Sequence, residues 1–182
     1  MPAVNNSSEN LIRDATDADM AVIQEIYAHH VLEGLASFEE TPPDEGELIR
    51  RRDALVADGY PYRVCEDGGI VKGYAYAGPF RPRPAYIHTV ENSVYVSPDA
   101  HRQGIGRRLL EDLIERCTEL GYRQMVAIIG DSGNQPSIGL HASLGFEMIG
   151  VQPSVGFKFG RWVDSVTMQL ALGKGDTVLP DA

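Results

Sequence analysis

Between Val94 and Cys117 the chain reads "VYVSPDAHRQGIGRRLLEDLIERC", and across it the apolar period changes from that of a strand to that of a helix. The run "IHTVENSVYVS" alternates apolar and polar residues, as a half-exposed strand does. After the glycines, Ile105, Leu109, Leu110, Leu113, Ile114 and Cys117 recur at helical spacing. A strand, a short glycine loop and a helix in direct succession make a crossover, which demands a fold that mixes both element types.

The remaining segments fit such a fold. "LIRDAT" reads as a first strand, and Thr16 or Asp17 can cap the helix "DADMAVIQEIYAHHV", where Met20, Ile23, Tyr27 and Val31 share a face. "TPPDEGE" is a stiff turn into a second helix, "DEGELIRRRDALVA", acidic at its start as the helix dipole prefers. "YPYRVCED" and "IVKGYAYAGPF", joined at Gly68-Gly69, predict an antiparallel hairpin. The prolines of "RPRP" prevent regular ladder pairing. "QMVAIIG" is an apolar run suited to a central strand buried on both faces. "NQPSIGLHASLGF" predicts a short helix capped by Asn134, with Pro136 in its first turn and Gly145 ending it. "FEMIGVQ" and "DSVTMQLAL" predict two final strands. The expected architecture is one α/β domain over residues 11–172, between flexible tails at 1–10 and 173–182.

Composition narrows the function classes. The formal net charge is −10 and no long basic run offsets it, which argues against non-specific binding to nucleic acid or to an anionic membrane. No apolar run approaches a bilayer-spanning length, and "MPAVNNSSEN" lacks the basic and apolar regions of a signal peptide. Two cysteines, Cys65 and Cys117, make no disulfide framework, so a soluble, cytoplasmic protein is expected. His29 and His30 adjoin on one helix and point different ways, and no CxxC or HExxH spacing exists, so no metal site is expected. Cys117 falls on an apolar helix face. A Cys65 acyl-enzyme would lack any activating base nearby in sequence.

Against this acidic background, Arg102, Arg107 and Arg108 surround Gly104-Ile105-Gly106. Glycine lets a ligand approach the backbone closely. The first N–H groups of a helix lack internal partners and carry the positive end of its dipole, and the arginines add full charges. The arrangement suits a pyrophosphate. The Lys-Ser/Thr of nucleotide-triphosphate loops is missing, as is the third glycine of the dinucleotide fingerprint.

These residues resemble the GNAT family of N-acetyltransferases, whose signature is Gln/Arg-x-x-Gly-x-Gly/Ala at a strand-to-helix turn that grips the pyrophosphate of acetyl-CoA. The match is "HRQGIG", with His101 at the first position instead of Gln or Arg. The likeness extends over roughly residues 11–172 and is greatest to the phosphinothricin and methionine sulfoximine acetyltransferases. "IYAHHV…ASFEETPP", "AYIHTVENSVYVSP", "NQPSIGLHASLGF" and "VGFKFGRWVDSV" carry it. Phe159 departs from the histidine often found there. The resemblance implies a mostly antiparallel mixed sheet flanked by helices, a homodimer, and acetyl-CoA as cosubstrate. It implies that acetyl-CoA is held by Val94, Tyr95, Val96, Arg102, Gln103, Gly104, Ile105, Gly106, Arg107 and Asn134.

The same resemblance implies Glu91 as general base, directly or through water, and His141 as the group that protonates the leaving thiolate or relays the amine proton. By the two-residue period Glu91 shares a strand face with Ser93 and Tyr95. His141 can titrate near neutrality, but a histidine buried beneath a short helix would serve equally well as structure. The resemblance also places Asn134 among the catalytic residues, as a contact to the pantetheine arm or to an ordered water; it is otherwise a helix cap, or both. A backbone N–H near Val96 would meet the oxyanion. Arg81 and Arg83, on the proline-stiffened loop, suit a small dianionic amino acid, or are simply solvated. Phe38, Tyr95 and Trp162 are candidates for pocket walls or core. Three readings follow. The first is acetyl transfer to phosphinothricin, methionine sulfoximine or methionine sulfone. The second is transfer to protein N-termini or another small amine. The third is a non-catalytic acyl-CoA sensor.

Overall fold

The computed structural model describes residues 11–180; the expected N-terminal tail lies outside them. Seven strands form one sheet in the order β1-β2-β3-β4-β5-β7-β6. They are β1 (Leu11–Asp14), β2 (Tyr62–Asp67), β3 (Ile70–Pro79), β4 (Thr89–Val96), β5 (Gln124–Gly130), β6 (Glu147–Lys158) and β7 (Arg161–Ala171). Every neighbouring pair is antiparallel except β4 and β5, which are parallel. Helices α1 (Met20–Glu33) and α2 (Glu45–Ala57) precede β2, α3 (Ile105–Glu119) makes the crossover from β4 to β5, and α4 (Gln135–Ser143) follows β5. No helix among the described residues is long and apolar enough to cross a membrane.

The sheet separates two cores. On one face the stripe of α3 (Ile105, Leu109, Leu110, Leu113 and Cys117) packs on Ala75, Ala77, Val90, Met125 and Ala127. On the other, Met20, Ile23, Ile26, Tyr27 and Val31 of α1 meet Leu48 of α2 and the rings of Tyr62, Tyr74 and Tyr95. Cross-strand register explains these rings. Tyr62 pairs with Tyr76 and Tyr74 with Tyr95, and both couples stack, at 5.0 and 5.3 Å between centroids.

Two expectations change, and the segment after β7 carries hydrogen bonds of its own. The last two strands are longer than the apolar alternation suggested, because "VGFKFGRW" closes a tight hairpin at Phe159 (φ 51°) and Gly160 (φ 71°). β5 is not buried throughout, since Ile128, beyond its last β4 partner, is exposed. Residues 173–180 contain turns closed by Gly175 N–H to Leu172 O and Thr177 N–H to Lys174 O, and Arg123 donates to the carbonyls of Gly175 and Leu179.

Candidate active site

The parallel pairing of β4 with β5 runs only from Thr89–Asn92 against Gln124–Ala127. Beyond it β5 stays with β7 through Gly130, and β4 stays with β3 through Val96. The two strands part, and a slot opens between Ser93–Tyr95 and Ile128–Gly130, lined also by Ala36, Asn92, Asn134, Ser137 and His141. Ser97 N–H donates to Lys72 O at 2.9 Å. The ladder's alternation therefore turns the N–H groups of Val94 and Val96 away from β3, toward the slot.

At the far end of β4 the chain turns into α3. Arg102 and Gly104 adopt left-handed φ values of 63° and 77°. The first backbone bond into the helix is Arg108 N–H to Gly104 O, at 3.1 Å, so the N–H groups of Ile105, Gly106 and Arg107 face outward at the positive end of the helix. A Cβ on Gly106 would sit 3.4 Å from both Val96 and Leu140 side chains, so this turn packs against the end of β4 and against α4. The donors and the left-handed glycine fit a pyrophosphate. The three arginines are not equivalent, as the sequence had suggested. Arg107 is held by Glu111 at 2.8 Å and Ser143 at 3.2 Å, and the charge of Arg108 acts on the buried Cys65 thiol. Arg102 and Gln103 are exposed on the loop itself.

Glu91 and His141 approach from opposite faces of the sheet. Glu91 shares its face with Ser93 and Tyr95, as the strand period required, and burial raises its carboxyl above the ordinary glutamate range. Tyr76 sits across from Ser93 in the ladder and lies within the field of Glu91. Asn92 points the other way. Its Nδ2 donates to Val126 O at 3.1 Å, and its Oδ1 lies 3.0 Å from His141 Nε2. His141 Nδ1 lies 2.8 Å from Ser137 O, and the ring meets Phe146 edge-on at 4.9 Å. Both ring nitrogens thus face oxygen acceptors. A neutral ring satisfies one, an imidazolium both, while burial pulls the pKa below the ordinary histidine value. Asn134 caps α4, accepting from Ser137 N–H at 3.2 Å, and also lines the slot.

The segment after α1 roofs one side of the slot. Ala36 lines it, and Phe38 packs on Gly130 and Gly156, where a Cβ would meet its ring at 3.0 and 2.6 Å. Arg81 and Arg83 are exposed on the loop into β4, and Arg81 stacks over Phe80 at 5.0 Å. Neither is among the residues lining the slot. Trp162 is not a pocket wall. It is 65% exposed on β7, against Phe157.

The acetyltransferase (GNAT) domain family matches residues 12–167. This chain belongs to the GNAT family. It is 56% identical to a phosphinothricin N-acetyltransferase of Alcaligenes faecalis, over 93% of this chain and 86% of that protein. It is 48% identical to an L-methionine sulfoximine/L-methionine sulfone acetyltransferase of Pseudomonas paraeruginosa, over 88% of this chain and 94% of that protein. Among solved structures, a GNAT superfamily phosphinothricin acetyltransferase of Sinorhizobium meliloti in complex with AcCoA superposes with a TM-score of 0.92. That likeness is at 48% identity, over 94% of this chain and 93% of that one.

Within this GNAT domain, two slot-side residues escaped the sequence reading. Asn92 fell on the buried face of a strand read for its other face. His30 reaches across from α1, with Nε2 2.9 Å from Val96 O and its ring against Tyr95 at 5.4 Å. A carbonyl only accepts, so Nε2 carries the hydrogen, and burial keeps this ring on the neutral side. The apolar helical spacing gives no signal for that contact. Both cysteines are buried, and burial pushes the Cys117 thiol up to about 12. Neither belongs to the slot.

Proposed function

We propose that the chain transfers the acetyl group of acetyl-CoA to the amine of a small amino-acid analogue of the phosphinothricin or methionine sulfoximine and sulfone type. The slot between β4 and β5 carries this reading. It opens beside the strand that carries Glu91, and the chain runs from the end of that strand into the first turn of α3, which supports a thioester held there with its pyrophosphate at the helix start. The cradle of Gly104, Ile105, Gly106 and Arg107, with Arg102 and Gln103 at its rim, holds the pyrophosphate. The pantetheine arm runs along Val94, Tyr95 and Val96 past Asn134. This delivers the thioester through the sheet.

The amine enters from the α1 side. Glu91, whose raised carboxyl makes it a stronger base than an exposed glutamate, takes the ammonium proton directly or through one water. The free amine attacks the thioester carbon, and the Val96 N–H meets the developing oxyanion. The carbon–sulfur bond breaks, His141 as its imidazolium gives the Nε2 proton to the departing thiolate, and the ring regains a proton as the new amide nitrogen sheds its second one, while the proton on Glu91 passes to solvent. His141 Nε2 exchanges its Asn92 contact for the sulfur in that step. Arg81 and Arg83 take the acceptor's anionic groups. The roof over Gly130 and Gly156 supports a small acceptor over a peptide.

A homodimer in the cytoplasm completes the proposal. The edge strand β6 and the neighbouring β7 expose Met148, Ile149, Val151, Val155, Phe157 and Trp162, apolar area that a second copy would cover. Acetylation of a toxic analogue would confer resistance to it.

The test follows free thiol release from acetyl-CoA with phosphinothricin, methionine sulfoximine, methionine sulfone, glutamate, spermidine and a short peptide. Fast release with only the first three is expected. Release with peptide or polyamine alone would overturn the acceptor, and tight CoA binding without any release would favour a sensor.

A further inference from the structure

The "GFKFGRWVD" stretch contributes no group to the chemistry above, yet it holds one of the few buried cations of the chain. Lys158, the last residue of β6, is 3% exposed. Its Nζ donates to Gly34 O at 2.9 Å and to Ser37 O at 2.7 Å, and lies 4.9 Å from the Phe159 ring centroid. A buried ammonium is costly unless its donors are met. Here two carbonyls of one short segment meet them; burial still lowers the pKa of the ammonium, and the negative charges of Glu40 and Glu39 only partly oppose it. The lysine thereby fixes where the chain runs after α1.

That segment is the roof of the slot. Leu35 O is so close to Gly130 that a Cβ there would lie 1.9 Å from it, Ala36 lines the slot, and Phe38 covers Gly130 and Gly156. Its outer side is held by Ser37 Oγ to Tyr27 Oη at 2.9 Å and by Tyr27 Oη to Glu39 at 3.0 Å. Asp164 of the same hairpin does the matching work on the other rim. It accepts from Ser132 Oγ at 2.5 Å and Ser154 N–H at 2.9 Å, beside the turn that carries Asn134.

We infer that Lys158 is a positioning residue for the acceptor amine, setting the height of the Gly34–Phe38 roof over the slot while leaving the acetyl-CoA cradle untouched. The inference rests on the acceptor reading above. The roof packs on Gly130 and Gly156, whereas the cradle is the first turn of α3, so the two binding constants separate the effects.

The test compares wild type, Lys158→Met, Lys158→Arg and Gly156→Ala, with phosphinothricin as acceptor. The methionine keeps the volume and loses the donors, and the arginine keeps charge and donors. The alanine leaves Lys158 intact but drives a methyl into the Phe38 ring. Lys158→Met and Gly156→Ala should each raise the acceptor KM about tenfold, with kcat within about threefold and acetyl-CoA Kd within about twofold, since misplacement of a positioning surface is felt by the ligand it faces. Lys158→Arg should recover a large part of the loss. Unchanged acceptor KM, or acceptor KM and acetyl-CoA Kd rising together, would overturn the inference. If Lys158→Met does not fold, Gly156→Ala decides in the same two ways. A wild-type protein inactive on every amine would sink the acceptor reading instead, which separates the two failures.

Discussion

Asn92 Oδ1 lies 3.0 Å from His141 Nε2, and the amide cannot turn over, because its Nδ2 is committed to Val126 O at 3.1 Å. Asn92 therefore offers His141 an acceptor in every state, and with Ser137 O on the other nitrogen it favours the imidazolium against the burial that disfavours it. Removing that acceptor, as in Asn92→Leu, should lower the His141 pKa further, because the imidazolium loses one of the two acceptors it can use. Asn92→Asp should raise it. Proton NMR titration of His141 and the basic limb of the kcat profile are the readouts, and identical titrations in both variants would refute the coupling.

Glu91→Gln should reduce turnover on the order of 100-fold near neutrality, the usual contribution of a general base, and spare acetyl-CoA affinity. Stability moves the other way. Burial raises the folded carboxyl above its unfolded value. The resulting stabilisation is full below the unfolded pKa and is lost as pH rises through the folded one. The glutamine variant should thus melt at a higher temperature than wild type above that window, and at the same temperature well below it. Calorimetry at acid and neutral pH checks this.

Gly104 separates conformation from contact. A Cβ there meets nothing within 4 Å, so its requirement for glycine comes from φ of 77°. Valine strains that conformation and asparagine tolerates it. Gly104→Val should weaken acetyl-CoA binding about tenfold, matching a left-handed penalty of roughly 1–2 kcal/mol, and Gly104→Asn much less. Equal affinities by titration calorimetry would refute a cradle set by this turn.

Arg83 is exposed at the start of the loop turn into β4, whereas Arg81 is already stacked on Phe80. Arg83→Ala should raise KM for a dianionic acceptor about tenfold, the worth of one charge-assisted contact, and leave acetyl-CoA Kd unchanged. Steady-state kinetics at low and high salt provide the check, and a KM insensitive to the substitution would remove Arg83 from the acceptor site.

The crossover, the α3 stripe and the Asn134 cap were legible because each is local: a period, a glycine, a side chain bonding three residues on. The face of Glu91 followed from alternation alone. The slot did not, since nothing in "VENSVYV" or "QMVAIIG" says that the pairing of these strands stops at Asn92 and Ala127. Lys158 carries no sequence signal for its role, because its partners, the carbonyls of Gly34 and Ser37, lie more than a hundred residues away and have no side-chain signature. The arginines were over-read. Sequence places three cations by the glycines, and only packing reveals that Glu111 and Ser143 occupy Arg107.

The short parallel seam from Thr89–Asn92 to Gln124–Ala127 divides the sheet into two plates, β1 to β4 and β5 to β7. A molecule lying in the gap beyond the seam acts as a suture between them, and its loss is felt by the whole chain. At a hundredfold excess over its Kd such a ligand adds about 2.7 kcal/mol to folding stability. Loss of acetyl-CoA should then lower the resistance of the folded chain to proteases as well as stop its turnover.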